Sequence, residues 1–350
     1  MKKQMAALFA IGLLAAFAHA QNVTISGVDI SPLLVNQQVG VYLSVTDATG
    51  MPIQGLTQQE FQVFEKTPWS GEQVREIVDF REGINVTKGV TMLLLVDNSG
   101  SMYYNASGSI TDSTDESIWR ITIAKEAVLS LLSDIENPAD RVGFTSFNMN
   151  TGTVVEPTDD KTKIEAAVQS IEKPAEGQGY TELYEALYES VGTARNAAGR
   201  TVIILLSDGE NYPLEDNPNY PERKGLDGAL EFAREEGISI FTIGLSSGAD
   251  TQELKEIAAA TGGAFFSAYD PAELQRLYSL IRNQILNEYW LAFRGGMEPS
   301  EQKAVRVVFR EGAAEASREY YTATMFGIPQ DPFNWLVLLA VPLALLLLWL

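Results

Sequence analysis

The chain has 350 residues, 45% of them apolar and 20% charged, a balance that implies a folded protein with a well-filled core and room for two domains. Its 25 basic and 46 acidic residues give a formal charge of −21, which opposes binding to nucleic acid or to anionic lipid and suits divalent cations. There is no cysteine and one histidine, so no disulfide is available and an exported fold must be stable on packing alone.

The N-terminus predicts a secretory signal over residues 1–20. Lys2 and Lys3 precede a short apolar run, Ala6 to Phe17, and Ala18-His19-Ala20 fits a small-x-small cleavage site. An uncleaved N-terminal anchor is the alternative. Cleavage removes both lysines and the histidine, leaving 23 basic residues against 46 acidic ones and a formal charge of −23. A mature chain without His or Cys excludes Ser-His-Asp and Cys-His catalysis and the usual zinc sites. Any metal must then sit among hard oxygen ligands, as Mg²⁺, Mn²⁺ or Ca²⁺ does.

Residues 21–87 predict β-structure. Val39, Val41, Leu43 and Val45 alternate with smaller or more polar neighbours, as in a half-buried strand. Thr57-Gln58-Gln59-Glu60 fits a capping box for one helical turn before a strand at Phe61–Glu65.

Residues 88–287 change character. Val90–Val96, Thr201–Leu206 and Ile238–Leu245 are runs without a polar face, which suits parallel strands covered on both sides. Amphipathic helices are predicted between them, at about 119–135, 161–171, 181–197, 226–236, 251–260 and 271–287. The alternation implies an α/β domain with a doubly wound, mostly parallel sheet.

Residues 288–326 return to strand patterning, at Tyr289–Arg294, Val305–Arg310 and Tyr320–Met325. Two short β segments lack the size for separate cores. They are expected to pair into one small β-sandwich with the α/β domain inserted in it; two separate β appendages are the alternative. Residues 327–332 read as a linker. Phe333–Leu350 is an uncharged 18-residue stretch, which predicts a C-terminal transmembrane helix, with a buried core helix as the alternative.

In open α/β sheets, ligands bind at the carboxyl ends of the strands. There the first buried strand runs into Asp97-Asn98-Ser99-Gly100-Ser101, offering one carboxylate and two hydroxyls. The strand at 201–206 runs into Ser207-Asp208-Gly209, a second carboxylate, and Thr181 opens a helix after a glycine-containing stretch. Together Asp97, Ser99, Ser101, Thr181 and Asp208 supply five oxygen donors, against about six for Mg²⁺. One position would remain for an outside group.

With these residues in order, 88–287 resembles a von Willebrand factor type A domain carrying a metal-ion-dependent adhesion site. The matching features are Asp97-x-Ser99-x-Ser101, Tyr180-Thr181-x-Leu183-x-x-Ala186-Leu187 and Asp208-Gly209. The resemblance implies that Ser99, Ser101 and Thr181 bind the metal directly, Asp97 directly or through water, and Asp208 through water. It also implies that a partner's Asp or Glu fills the last position. Tyr180 stands where the family often has glycine, and Ser207 where it often has threonine. The flanking β segments resemble, more loosely, those of membrane-anchored bacterial relatives.

Five tyrosines, Tyr103, Tyr104, Tyr180, Tyr212 and Tyr220, lie on segments expected to rim the metal, and tyrosine is favoured at binding hot spots. Solvated loop aromatics are the alternative. The expectation is therefore a metal-dependent adhesion or scaffold protein of the cell envelope, on the extracytoplasmic side. It would bind an unidentified protein through a carboxylate and would not be an enzyme. A module whose metal only stabilises the fold is the alternative. A Mg²⁺-dependent hydrolase is disfavoured, because no general base stands apart from the metal carboxylates.

Overall fold

The computed structural model describes residues 22–68, 70–105, 115–197, 199–245, 251–268, 271–296 and 302–322. The expected signal peptide, the 327–332 linker and the Phe333–Leu350 stretch lie outside them. Among the described residues, no helix is long and apolar enough to cross a membrane.

From Asn22 the chain forms β1 (Asn22–Asp29), the single turn α1 (Leu33–Asn36), β2 (Gln38–Thr46), β3 (Phe61–Thr67), β4 (Gly71–Arg75), β5 (Ile77–Glu82) and the short α2 (Ile84–Lys88). The alternating part follows: β6 (Val90–Asp97), α3 (Arg120–Asp134), β7 (Arg141–Phe147), β8 (Thr151–Thr158), α4 (Lys161–Gln169), α5 (Leu183–Ala194), β9 (Arg200–Ser207), α6 (Leu226–Glu235), β10 (Ser239–Gly244), α7 (Thr251–Thr261), β11 (Phe265–Ser267) and α8 (Pro271–Leu286). The chain then returns to strands in β12 (Tyr289–Arg294), β13 (Gln302–Phe309) and β14 (Ala314–Tyr321).

The central sheet has the order β11-β10-β9-β6-β7-β8. Its strands are parallel except β8, which runs antiparallel to β7. Period-two geometry sends alternate side chains of each strand to opposite faces. Met92, Leu94 and Val96 pack with α3, α4 and α8 on one face. Leu93 and Leu95 pack with α5, α6 and α7 on the other. This two-sided burial is why β6 and β9 read as unbroken apolar runs. Each fully buried Leu or Ile contributes about 1.5–3 kcal/mol. β7 lies on one side of β6 and β9 on the other, so the order of strands reverses at β6. A crevice opens there at the carboxyl ends.

The flanking segments form a sandwich of two antiparallel sheets, β1-β2-β12-β5 and β14-β13-β3-β4. β12 lies between β2 and β5, and β13 between β14 and β3, so N- and C-terminal strands are interleaved in both sheets. The shared core includes Val41, Leu43, Phe61, Leu291, Phe293 and Val307, and neither segment has a core without the other. Thr57 and Glu60 form the expected capping box, with the Thr57 N–H donating to Glu60 Oε2 at 2.8 Å. The last described strand covers Ala314–Tyr321, beginning earlier than the expected Tyr320–Met325, of which residues 323–325 lie outside the described ones. Its inward positions include Arg318, which disguises the alternation.

Arg318 is part of the seam between sandwich and α/β domain. From β14, its Nη1 donates to Ile25 O and Ser26 O of β1 and to Thr261 O at the end of α7, at 3.0, 2.9 and 2.7 Å. Arg200, at the start of β9, donates from Nε and Nη2 to both Glu288 oxygens at 2.9 Å. Asn85 Nδ2 donates to Glu288 Oε2 and to Ile285 O, at 3.0 and 2.8 Å. Glu288 thus ties the chain leaving the α/β domain to the chain entering it.

Candidate metal site

The segments that carry the five expected donors come together at the carboxyl ends of β6 and β9. Asp97 ends β6 and is fully buried. Its Oδ1 accepts from the Ser99 N–H at 2.8 Å, which closes the turn, and its Oδ2 accepts from Ser207 Oγ, at the end of β9, at 2.7 Å. The Ser99 and Ser101 hydroxyl oxygens lie 3.1 Å apart. Ser207 Oγ also accepts from the Gly209 N–H at 2.9 Å, and Gly209 turns the chain at φ +86°, a conformation suited to glycine.

Thr181 is placed by backbone contacts. The Gly100 N–H donates to Gly179 O at 2.9 Å, and the Thr181 N–H donates to Tyr212 O at 2.8 Å. A Cβ on Gly179 would lie 3.1 Å from the Gly100 N and Cα, so a glycine here lets the two loops touch. Ser99, Thr181 and Asp208 are buried, and Ser101 is half-buried.

The electrostatics favour a cation. Burial, then the charge of Asp208, push the Asp97 carboxyl up to about 7, against hydrogen bonds from Ser207 and Ser99 that favour its ionised form. Among the described residues, Asp208 Oδ1 is buried with no hydrogen-bond partner, and buried carboxylate oxygens are costly when unpaired. Among the described residues no group of three or more His, Cys, Asp and Glu is clustered for metal binding. The donor set is therefore two carboxylates with hydroxyls, which fits a hard divalent ion.

One participant is absent from the expected set. Arg120, the first residue of α3, is buried, and its Nη1 donates to Asp208 Oδ2 at 2.7 Å and to Ser101 O at 3.3 Å. A basic side chain in the first turn opposes the helix dipole. That mismatch is the signal in the sequence that Arg120 has a carboxylate to meet.

The tyrosines divide. Tyr212 is 67% exposed and stacks on half-buried Tyr180, with ring centroids 5.5 Å apart, and Tyr104 is exposed. Tyr103 is buried, so it does not stand on an exposed rim. Its hydroxyl donates to Asn98 Oδ1 at 2.7 Å and its ring packs edge-on against Trp119. Tyr220 is half-buried and its hydroxyl lies 3.1 Å from Thr151 Oγ1.

A family model described as von Willebrand factor type A domain matches residues 92–280. A UPF0353 protein of Mycolicibacterium paratuberculosis is 30% identical over 218 residues, covering 55% of this chain and 60% of the relative. A UPF0353 protein of Nocardia farcinica is 24% identical over 222 residues, covering 56% and 63%. The chain thus spans less than two thirds of the length of these relatives. Among solved structures, an aerotolerance-related membrane protein from Bacteroides fragilis superposes with a TM-score of 0.43 at 20% identity, covering 56% of this chain and 98% of that one.

Proposed function

The chain belongs to the von Willebrand factor type A domain family, and from that premise we propose that it is a non-catalytic, divalent-metal-dependent protein-binding protein of the cell envelope. The observation that carries this reading is the pairing of a buried, partnerless oxygen, Asp208 Oδ1, with the neighbouring Asp97, Ser99 and Ser101 oxygens at one sheet edge. Ser99, Ser101 and Thr181 would hold Mg²⁺, or Mn²⁺ or Ca²⁺, with Asp97 and Asp208 supplying charge directly or through water. The bound ion supplies an electrophilic position for a carboxylate of the partner. Exposed Tyr212 and Tyr104 provide contact area beside it.

Binding accounts for this site better than catalysis does. A hydrolase needs a base apart from the metal carboxylates, and among the described residues the buried acid beside Thr181, Glu182, is already paired with Arg223 and Asn217. A purely structural metal is also a poorer fit, because Arg120 already bonds Asp208 and the Ser101 carbonyl. Export by residues 1–20 and anchoring by 333–350 would set the domain on the extracytoplasmic side of a membrane.

The test is a pull-down of envelope proteins by the full chain with Mg²⁺, with EDTA, and with Asp97→Ala. Retention with Mg²⁺ and loss in the other two is the expected result. A partner retained equally by Asp97→Ala sinks the adhesion reading, and unfolding of the EDTA-treated chain favours the structural one.

A further inference from the structure

Arg120 places a fixed positive charge inside a pocket built for a cation. Its side chain is 8% exposed and that of Asp208 4%, so solvent screens the pair little. Its Nη1 spans two of the three segments that form the pocket, Asp208 Oδ2 after β9 and Ser101 O after β6. The backbone fixes its root, since the Arg120 N–H donates to Tyr104 O at 3.1 Å and Asn105 bridges Trp119. Asp208 therefore faces two ways: Oδ2 is held by the guanidinium, and Oδ1 has no partner.

We propose that Arg120 is a resident counter-cation of the metal pocket, a positioning residue that braces Asp208 in the metal-free protein and weakens the site's affinity for the divalent ion. The inference rests on the metal-binding reading above. Without metal, the guanidinium is tied to Asp208, and the loops keep one strong charge-assisted tie. When a divalent ion enters, it meets a like charge across a single carboxylate. The same contact that steadies the empty loops thus opposes filling them, so the ion remains exchangeable and the pocket is already assembled when it arrives.

The experiment uses the full chain, prepared in Mg²⁺ and stripped with EDTA. Calorimetric titration with MgCl₂ and with MnCl₂ is run on wild type, Arg120→Gln, Arg120→Met and Arg120→Lys, and thermal unfolding of each is followed in EDTA. Arg120→Gln and Arg120→Met are expected to bind both ions about tenfold or more tighter, the scale of a unit charge acting on a divalent ion even under strong screening. They are also expected to melt lower in EDTA, and to recover in saturating Mg²⁺. Arg120→Lys keeps the charge and should bind close to wild type. Wild-type binding with unchanged or weaker binding by the neutral variants overturns the assignment to Arg120 alone. So does Arg120→Lys if it tightens binding as a neutral variant should, a result readable even where the neutral variants do not fold. Absence of metal binding by every protein overturns the metal-binding reading itself and this inference with it.

Discussion

Ser207 Oγ donates to Asp97 Oδ2 at 2.7 Å, joining the ends of two adjacent parallel strands that are 110 residues apart in sequence. One hydroxyl thereby aligns the segments carrying both buried carboxylates. It also accepts from the Gly209 N–H, so it fixes the turn on which Asp208 stands. Ser207→Ala leaves a buried carboxylate oxygen and a backbone N–H without this partner. The expected cost is about 1–3 kcal/mol, read as a lower urea midpoint in EDTA with an unchanged slope. A midpoint equal to wild type would mean that the contact has no role in stability.

The metal-free protein should lose stability as the pH rises from about 4 to about 7. The sign follows from Asp97. Burial and Asp208 raise its carboxyl to about 7 in the folded chain, so the folded form holds that proton more tightly than the unfolded form. The associated stability is complete below the ordinary carboxylate range and is lost as the pH passes through about 7. Melting temperature in EDTA across this window checks it. Asp97→Asn should flatten the slope, and saturating Mg²⁺ should remove it.

Glu288→Ala should be far more damaging than a typical surface change. The Arg200 and Glu288 side chains are 2% and 1% exposed, and removing the acid leaves a buried guanidinium unpaired. The expected loss is about 3–5 kcal/mol, measured by chemical denaturation. A loss under about 1 kcal/mol, the scale of an exposed pair, would show that water reaches the seam.

Tyr212→Ala should separate partner contact from metal contact. The ring is 67% exposed and stacks on Tyr180, whereas its backbone oxygen holds the Thr181 N–H. Truncation removes only the ring. Partner affinity should fall by roughly 2 kcal/mol, as at a binding hot spot, with Mg²⁺ affinity by calorimetry unchanged. Equal partner binding would take the tyrosine stack out of the interface.

The architecture was legible where burial is simple. β6 and β9 are covered on both faces, so their runs carry no polar face and read directly as parallel strands. The sandwich was legible from deficiency: two β segments, each too small for a core, had to share one. The closeness of the Asp97 and Asp208 segments was legible because each follows a strand and the two strands are neighbours in the sheet, whereas Thr181 lies ahead of α5 and reaches them only through loop contacts. Polar residues in unusual places were harder to read. Arg318 occupies an inward strand position and shifted the reading of β14. Arg120 was not singled out at all, because its partner lies 88 residues away. Tyr103 was expected on the binding rim, because its burial depends on Trp119 and Asn98, which no local pattern links to it.

The stitch at Glu288 has a mechanical consequence. The chain enters the α/β domain through α2 and leaves it after α8, and Asn85 and Glu288 fasten these two crossings together. Both lie near the start of β6 and β9, while the Asp97 loop lies at the far end of the same strands. A tug applied at the loop therefore runs lengthwise down the central strands and divides between two anchored strands of chain. The two crossings are fastened to each other, so the inserted domain sits on its sandwich as a link held at both sides, and a load along the strands is shared between them.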